Sequence, residues 1–89
     1  MSEIEKIIED RAKTHGDYAQ VAEMFYKFKE AAMSNNGVNL DDRLALAVEM
    51  IFLKLSRAIC GDENHADHWK DIAGYAQLAA AACEPGRIE

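Results

Sequence analysis

Residues 49–75 read EMIFLKLSRAICGDENHADHWKDIAGY, and this stretch decides the fold. Apolar residues recur at helical spacing up to Cys60, GDEN at 61–64 offers a short turn, and a second helical pattern begins near His65. Gly61 is suited to ending the first helix. Lys54 and Arg57 are three apart, and Asp67 and Asp71 are four apart, so each like-charged pair shares one helix face. Such pairs repel unless the two helices face each other. Folding antiparallel about the turn sets Lys54 level with Asp71, Arg57 level with Asp67 and His68, and Glu49 or Met50 level with Tyr75.

Two readings fit this quartet. It is a salt-bridge network that fixes the register of two helices, or it is a site. In the site reading the carboxylates hold a divalent cation, since hard cations favour oxygen ligands, or the cations hold a phosphate.

Upstream, thirteen of the seventeen residues from Leu44 to Cys60 are apolar, so this third helix is expected to be central or partly in a subunit contact. Residues 3–13 place Ile4, Ile7, Ile8 and Ala12 on one stripe of a first, amphipathic helix that depends on packing, with Glu3, Glu5, Lys6 and Glu9 opposite. Thr14-His15-Gly16 breaks it, and Asp17 with Gln20 caps the second helix, expected from Asp17 to Met33 with Tyr18, Val21, Ala22, Phe25, Phe28 and Ala32 inward. Ser34-Asn35-Asn36-Gly37 reads as a loop, and Asn39 with Asp42 as the start of helix three.

Downstream, the fourth helix runs from about His65 to Ala82 with Trp69, Ile72, Ala73, Ala76 and Ala79 inward, and Glu84-Pro85-Gly86 stops it. Gly74 inside it costs roughly 1 kcal/mol of helix propensity, which suggests close packing of a neighbour or a ligand. No strand-like alternation appears. The expected fold is all-α, one domain over 1–89, a four-helix and mainly antiparallel bundle.

A chain of 89 residues with 49% apolar content is not disordered, and its net charge of −6 argues against binding duplex nucleic acid. Cys60 and Cys83 fall near opposite ends of consecutive antiparallel helices and read as reduced, buried-type thiols of a cytoplasmic protein. The nearly apolar run Leu44–Leu53 contains Glu49 and is far shorter than the ~20 residues that span a bilayer. The acidic, amphipathic start has no signal-peptide pattern. His15, His65 and His68 gather toward one end but lack zinc-ligand spacing, so solvated turn histidines are expected. The apolar breadth of Leu44 to Cys60 and the alanine-rich Leu78 to Ala82 point to a homodimer through helix three, helix four or both.

Arg11-Ala-Lys-Thr-His15-Gly16-Asp17, Met50-x3-Lys54-x2-Arg57 and Asp67-His-Trp69-x-Asp71-Ile-Ala-Gly74-Tyr75 together resemble an uncharacterised family of small proteins of phages, prophages and some actinobacteria. That pattern is similar, more distantly, to the MazG-like all-α nucleoside triphosphate pyrophosphatases, which hold Mg²⁺ between acidic residues of two neighbouring helices. The similarity implies Mg²⁺ on Glu49, Asp67 and Asp71, with Lys54 and Arg57 neutralising phosphate charge. His15, Gly16, Asp17 and Tyr75 would then bind the ligand. Here Phe52 stands where the second acid of the first helix would be. A non-catalytic protein that binds a nucleotide-like anion, or a host protein, explains the same residues without metal. Alternating helix directions bring His15, Gly16 and Asp17 to the end that holds Arg57 and Asp67, where helix N-termini favour an anion.

Overall fold

The computed structural model describes residues 2–34 and 39–84, which form four helices and no strand. They are α1 (Glu3–His15), α2 (Tyr18–Ser34), α3 (Asp42–Cys60) and α4 (Ala66–Ala82). The start of α1 is set by Ser2, whose hydroxyl accepts the Glu5 N–H at 3.1 Å, with Glu3 and Glu5 at the positive end of the helix dipole. Gly16 ends it at φ 83° and ψ 168°, a region open essentially to glycine alone. Asp17 caps α2 as expected, accepting from the Gln20 N–H at 3.3 Å. The cap of α3 is Asp41 and not Asn39: its carboxylate accepts the Arg43 N–H at 2.9 Å and also meets the Arg43 side chain. The expected loop at 35–37 and the Pro85-Gly86 stop lie outside the described residues.

Helix α3 is the hub, and α1, α2 and α4 all pack against it. Its apolar breadth is used within the chain only in part, since Leu46 and Ile59 are exposed. The residues it buries are small: Ala47, Ser56 and Ala58, with Ser56 donating its hydroxyl to the Phe52 carbonyl at 2.8 Å. Small side chains let neighbouring helices approach closely. On one side of α3 the Phe52 ring stacks on Phe28 of α2 with centroids 5.2 Å apart, and Glu49 pairs with Lys29 of α2 at 3.0 Å. On another side Lys54 pairs with Asp71 of α4 at 2.9 Å. Both pairings run antiparallel. Helix α1 runs alongside α3 in the same direction, completing the up-down-up-down order.

Several expected burials are not found. Tyr18, Ala73 and Ala76 are exposed, and so is Trp69, whose indole N–H donates to the Glu63 carbonyl at 2.7 Å and thereby pins the 61–64 turn instead of entering the core. Gly74 is exposed, and a methyl group there would meet nothing within 4 Å, so no close neighbour explains this glycine. Cys83 is exposed and Cys60 half-buried, both as free thiols. Among the described residues, no helix is long and apolar enough to cross a membrane.

Candidate anion-binding site

The turn between α1 and α2 docks on the turn between α3 and α4. The Thr14 carbonyl accepts two hydrogen bonds there, from the Asp62 N–H at 2.9 Å and from His68 Nε2 at 2.7 Å. A carbonyl only accepts, so His68 carries its proton on Nε2. Gly61 makes the approach feasible: a Cβ on it would collide with the Thr14 carbonyl and the Gly16 amide, and a Cβ on Gly16 would collide with Cys60. Gly61 is needed for this closeness, which leaves no room for a Cβ.

This docking gathers all three histidines of the chain. The His15 ring lies 5.6 Å from His65 and 5.0 Å from His68, and His65 lies 4.9 Å from His68, centroid to centroid. They are not solvated turn residues: His68 is 2% exposed, and His15 and His65 are half-buried. His15 Nδ1 is 2.6 Å from the Thr14 hydroxyl, which also reaches the Arg11 carbonyl at 3.2 Å. Both contacts are satisfied when Nδ1 carries the proton and the hydroxyl donates to Arg11. Burial is the main cause that holds the His15 pKa below its usual range, and the charges of Arg11, His68, Arg57 and His65 act in the same direction.

Beside this cluster a groove of about 410 Å³ opens between α1 and α2, with Leu53 of α3 as its floor. Its walls are apolar and aromatic: Ile8 and Ala12 on one side, Val21, Phe25 and Tyr26 on the other. Where α1 and α2 join, the lining turns polar, with Arg11, His15, Gly16, Asp17, Tyr18 and Arg57. Neither Arg11 nor Arg57 has a carboxylate within ion-pair distance among the described residues. Burial and then the Arg11 charge push the Arg57 pKa down, and the more distant Asp71 opposes them. Two guanidinium groups and an imidazole thus converge on one end of an apolar groove, where Asp17 also lies but forms no ion pair with either arginine.

Of the residues singled out from sequence, His15, Gly16, Asp17 and Arg57 meet at this groove. The others lie elsewhere. Lys54 and Asp71 form their ion pair on the α4 side of α3, the Asp71 carboxyl being held below its usual range first by the hydrogen bond from Lys54 and then by the Lys54 charge. Asp67 is exposed and does not pair with Arg57, and its partner is His65 Nε2 at 3.8 Å. Glu49 faces α2 through Lys29, and Tyr75 is half-buried on α4, off the groove lining. Glu49, Asp67 and Asp71 are held apart by these separate pairings. Among the described residues no three His, Cys, Asp or Glu side chains converge as a metal-holding group. Arg11 and the buried His68 were not picked out as site residues from sequence. Arg11 carried two signals, its place at the head of the Arg11 to Asp17 motif and its position one helical turn before His15 on the same face.

No curated protein and no solved structure matches this chain. The family described as a domain of unknown function (DUF6378) matches residues 1–83, nearly the whole chain, and the protein belongs to that family.

Proposed function

We propose that this protein binds, without turning it over, a small ligand that joins a phosphate-like anion to an aromatic or apolar body, as a nucleotide does. The observation that carries this reading is the pair of guanidinium groups of Arg11 and Arg57 at the polar end of an apolar groove, neither of them in an ion pair among the described residues. Arg57 is half-buried and Arg11 exposed; a half-buried arginine outside any ion pair is costly, and an anion offsets that cost through short, forked hydrogen bonds. Tyr26 and Phe25 along the groove supply flat apolar surface for the body of the ligand. His15 adds a coupled proton. It is largely neutral at pH 7 because its pKa is lowered, and a bound anion favours its charged form. Binding therefore takes up protons, and affinity rises as pH falls from neutrality toward and below 6.5, the ordinary histidine value.

The Mg²⁺-dependent, MazG-like reading draws on the resemblance of the motif. It requires Glu49, Asp67 and Asp71 to share an ion, and their separate pairings with Lys29, His65 and Lys54 favour the binding reading instead.

One titration separates the two. Calorimetry at low salt with nucleoside mono- and triphosphates and with inorganic pyrophosphate is expected to show binding that weakens at least about tenfold in Arg57→Gln and Arg11→Gln. With Mg²⁺ or Mn²⁺ present, no pyrophosphate is expected to be released from a triphosphate. Absence of heat with every nucleotide and with pyrophosphate would overturn the proposal. So would hydrolysis that Asp71→Asn abolishes, which would restore the enzymatic reading.

A further inference from the structure

The positive charge at the polar end of the groove is small. Among the described residues that line it, Arg11 and Arg57 stand against the acidic Asp17, which leaves one net positive charge, or two once His15 takes up a proton. The nearby lysines add nothing: Lys13 is paired with Asp10 at 3.5 Å and Lys54 with Asp71 at 2.9 Å, and neither lines the groove. Beside that end, the docked 61–64 turn brings Asp62 and Glu63 instead. A phosphate monoester carries about −1.5 to −2 charges at pH 7, which matches this balance. Each further phosphate of a di- or triphosphate adds negative charge that meets acids here and no additional cation.

The walls set a second limit. Away from the polar end the described lining is apolar except for the Tyr26 hydroxyl. A hydroxyl rotates to donate or to accept, so it suits either kind of base edge. Telling one base from another takes fixed donors and acceptors, whereas an aromatic face accepts any base. At about 410 Å³ the groove lies near the lower end of the ~300–1,000 Å³ that small-ligand pockets span, room for one nucleotide-sized body and not for two. Building on the ligand-binding reading above, we infer that the anion held here is a phosphate monoester, a nucleoside monophosphate in preference to a di- or triphosphate, bound without regard to which base it carries.

Calorimetry on the full chain at pH 7 and low salt, without divalent cations, tests it with adenosine mono-, di- and triphosphate, cytidine and guanosine monophosphates, and inorganic phosphate. Adenosine monophosphate is expected to bind at least about fivefold more tightly than the triphosphate, with the diphosphate between them. The three monophosphates are expected to agree within about threefold. Asp17→Asn removes the acidic charge but keeps a side chain able to cap α2, and it is expected to shrink the preference for the monophosphate at least about twofold. Tyr26→Ala, at an exposed side chain, is expected to weaken the three monophosphates by similar factors and to leave inorganic phosphate unchanged. A smaller ratio of mono- to triphosphate affinity, or a wider spread among the bases, overturns the inference while the binding of nucleotides stands. So does a preference that Asp17→Asn leaves unchanged. Silence with every nucleotide overturns the ligand reading and this inference with it.

Discussion

Gly16 and Gly61 act on the same joint for different reasons, and only one of those reasons is visible in sequence. Gly16 follows a helix and sits at φ 83°, so its role as a terminator could be read from Thr14-His15-Gly16. Gly61 is needed because the Thr14 carbonyl, 47 residues earlier, comes against it, and no local pattern announces that approach. Gly16→Ala combines a strained backbone with a collision against Cys60 and is expected to cost about 2–3 kcal/mol. In a domain of this size that lowers the melting temperature by roughly 10–20 °C, measurable by circular dichroism. The histidines follow the same logic: His68 is buried by its bond to Thr14, 54 residues away, so spacing alone made it look solvated. The cluster makes stability depend on pH. The folded-state pKa of His15 is lowered, so the unfolded chain binds more protons in the interval below 6.5. The contribution of His15 is fully present above 6.5 and is lost as pH falls from there through the lowered folded value. Asp71, whose pKa is also lowered, loses its contribution only below its ordinary value of 3.8, in a separate window. Urea midpoints are expected to drop between about pH 8 and about pH 5, and His15→Asn should flatten that drop. An unchanged slope in the variant would show that His15 is not its source.

Between elements, the pairing of α3 with α4 was legible because like charges repeat on facing helices: Lys54 does meet Asp71. The second half of that pattern did not form. Arg57 turns toward Arg11 and the groove while Asp67 points to solvent, because periodicity places a residue on a face without saying which neighbour covers it. The same limit explains Tyr18 and Trp69, which lie on apolar stripes that reach beyond the surface actually covered. The ion pair that does form is lopsided: the Lys54 side chain is 15% exposed and that of Asp71 is 48% exposed. Removing the carboxylate leaves a mostly buried ammonium without its partner, whereas removing the ammonium leaves an accessible carboxylate that water solvates. Asp71→Asn is therefore expected to destabilise the protein more than Lys54→Met, whose side chain refills the same space. Equal losses in urea denaturation would mean that the pair contributes through charge at the surface and not through burial.

For the whole molecule, the alternating order of four helices was readable from short turns and helical periodicity, and it correctly brought residues 14–17 to the Arg57 end. How tightly each helix is held was not readable, since it depends on which faces find a neighbour. Helix α3 lies against all three others, but α1 is attached chiefly by its last turn, and its isoleucines are exposed. Local stability should follow that order, because a segment with few buried apolar contacts opens without the rest. Amide hydrogen exchange in dilute protein is expected to be slowest in the middle of α3, around residues 47–58, and fastest in the first two turns of α1. Gly61→Ala tests whether the turn-to-turn joint is what holds α1 in place. An added Cβ displaces the Thr14 carbonyl and so removes the bonds from Asp62 and His68 together. The variant should lose protection throughout α1 while α3 and the Lys54 to Asp71 contact keep theirs, a partial unfolding confined to one helix. Uniform loss across all four helices would instead mean that α1 and the α3–α4 pair fold as one cooperative unit, and that the joint is a part of the core and not a hinge upon it.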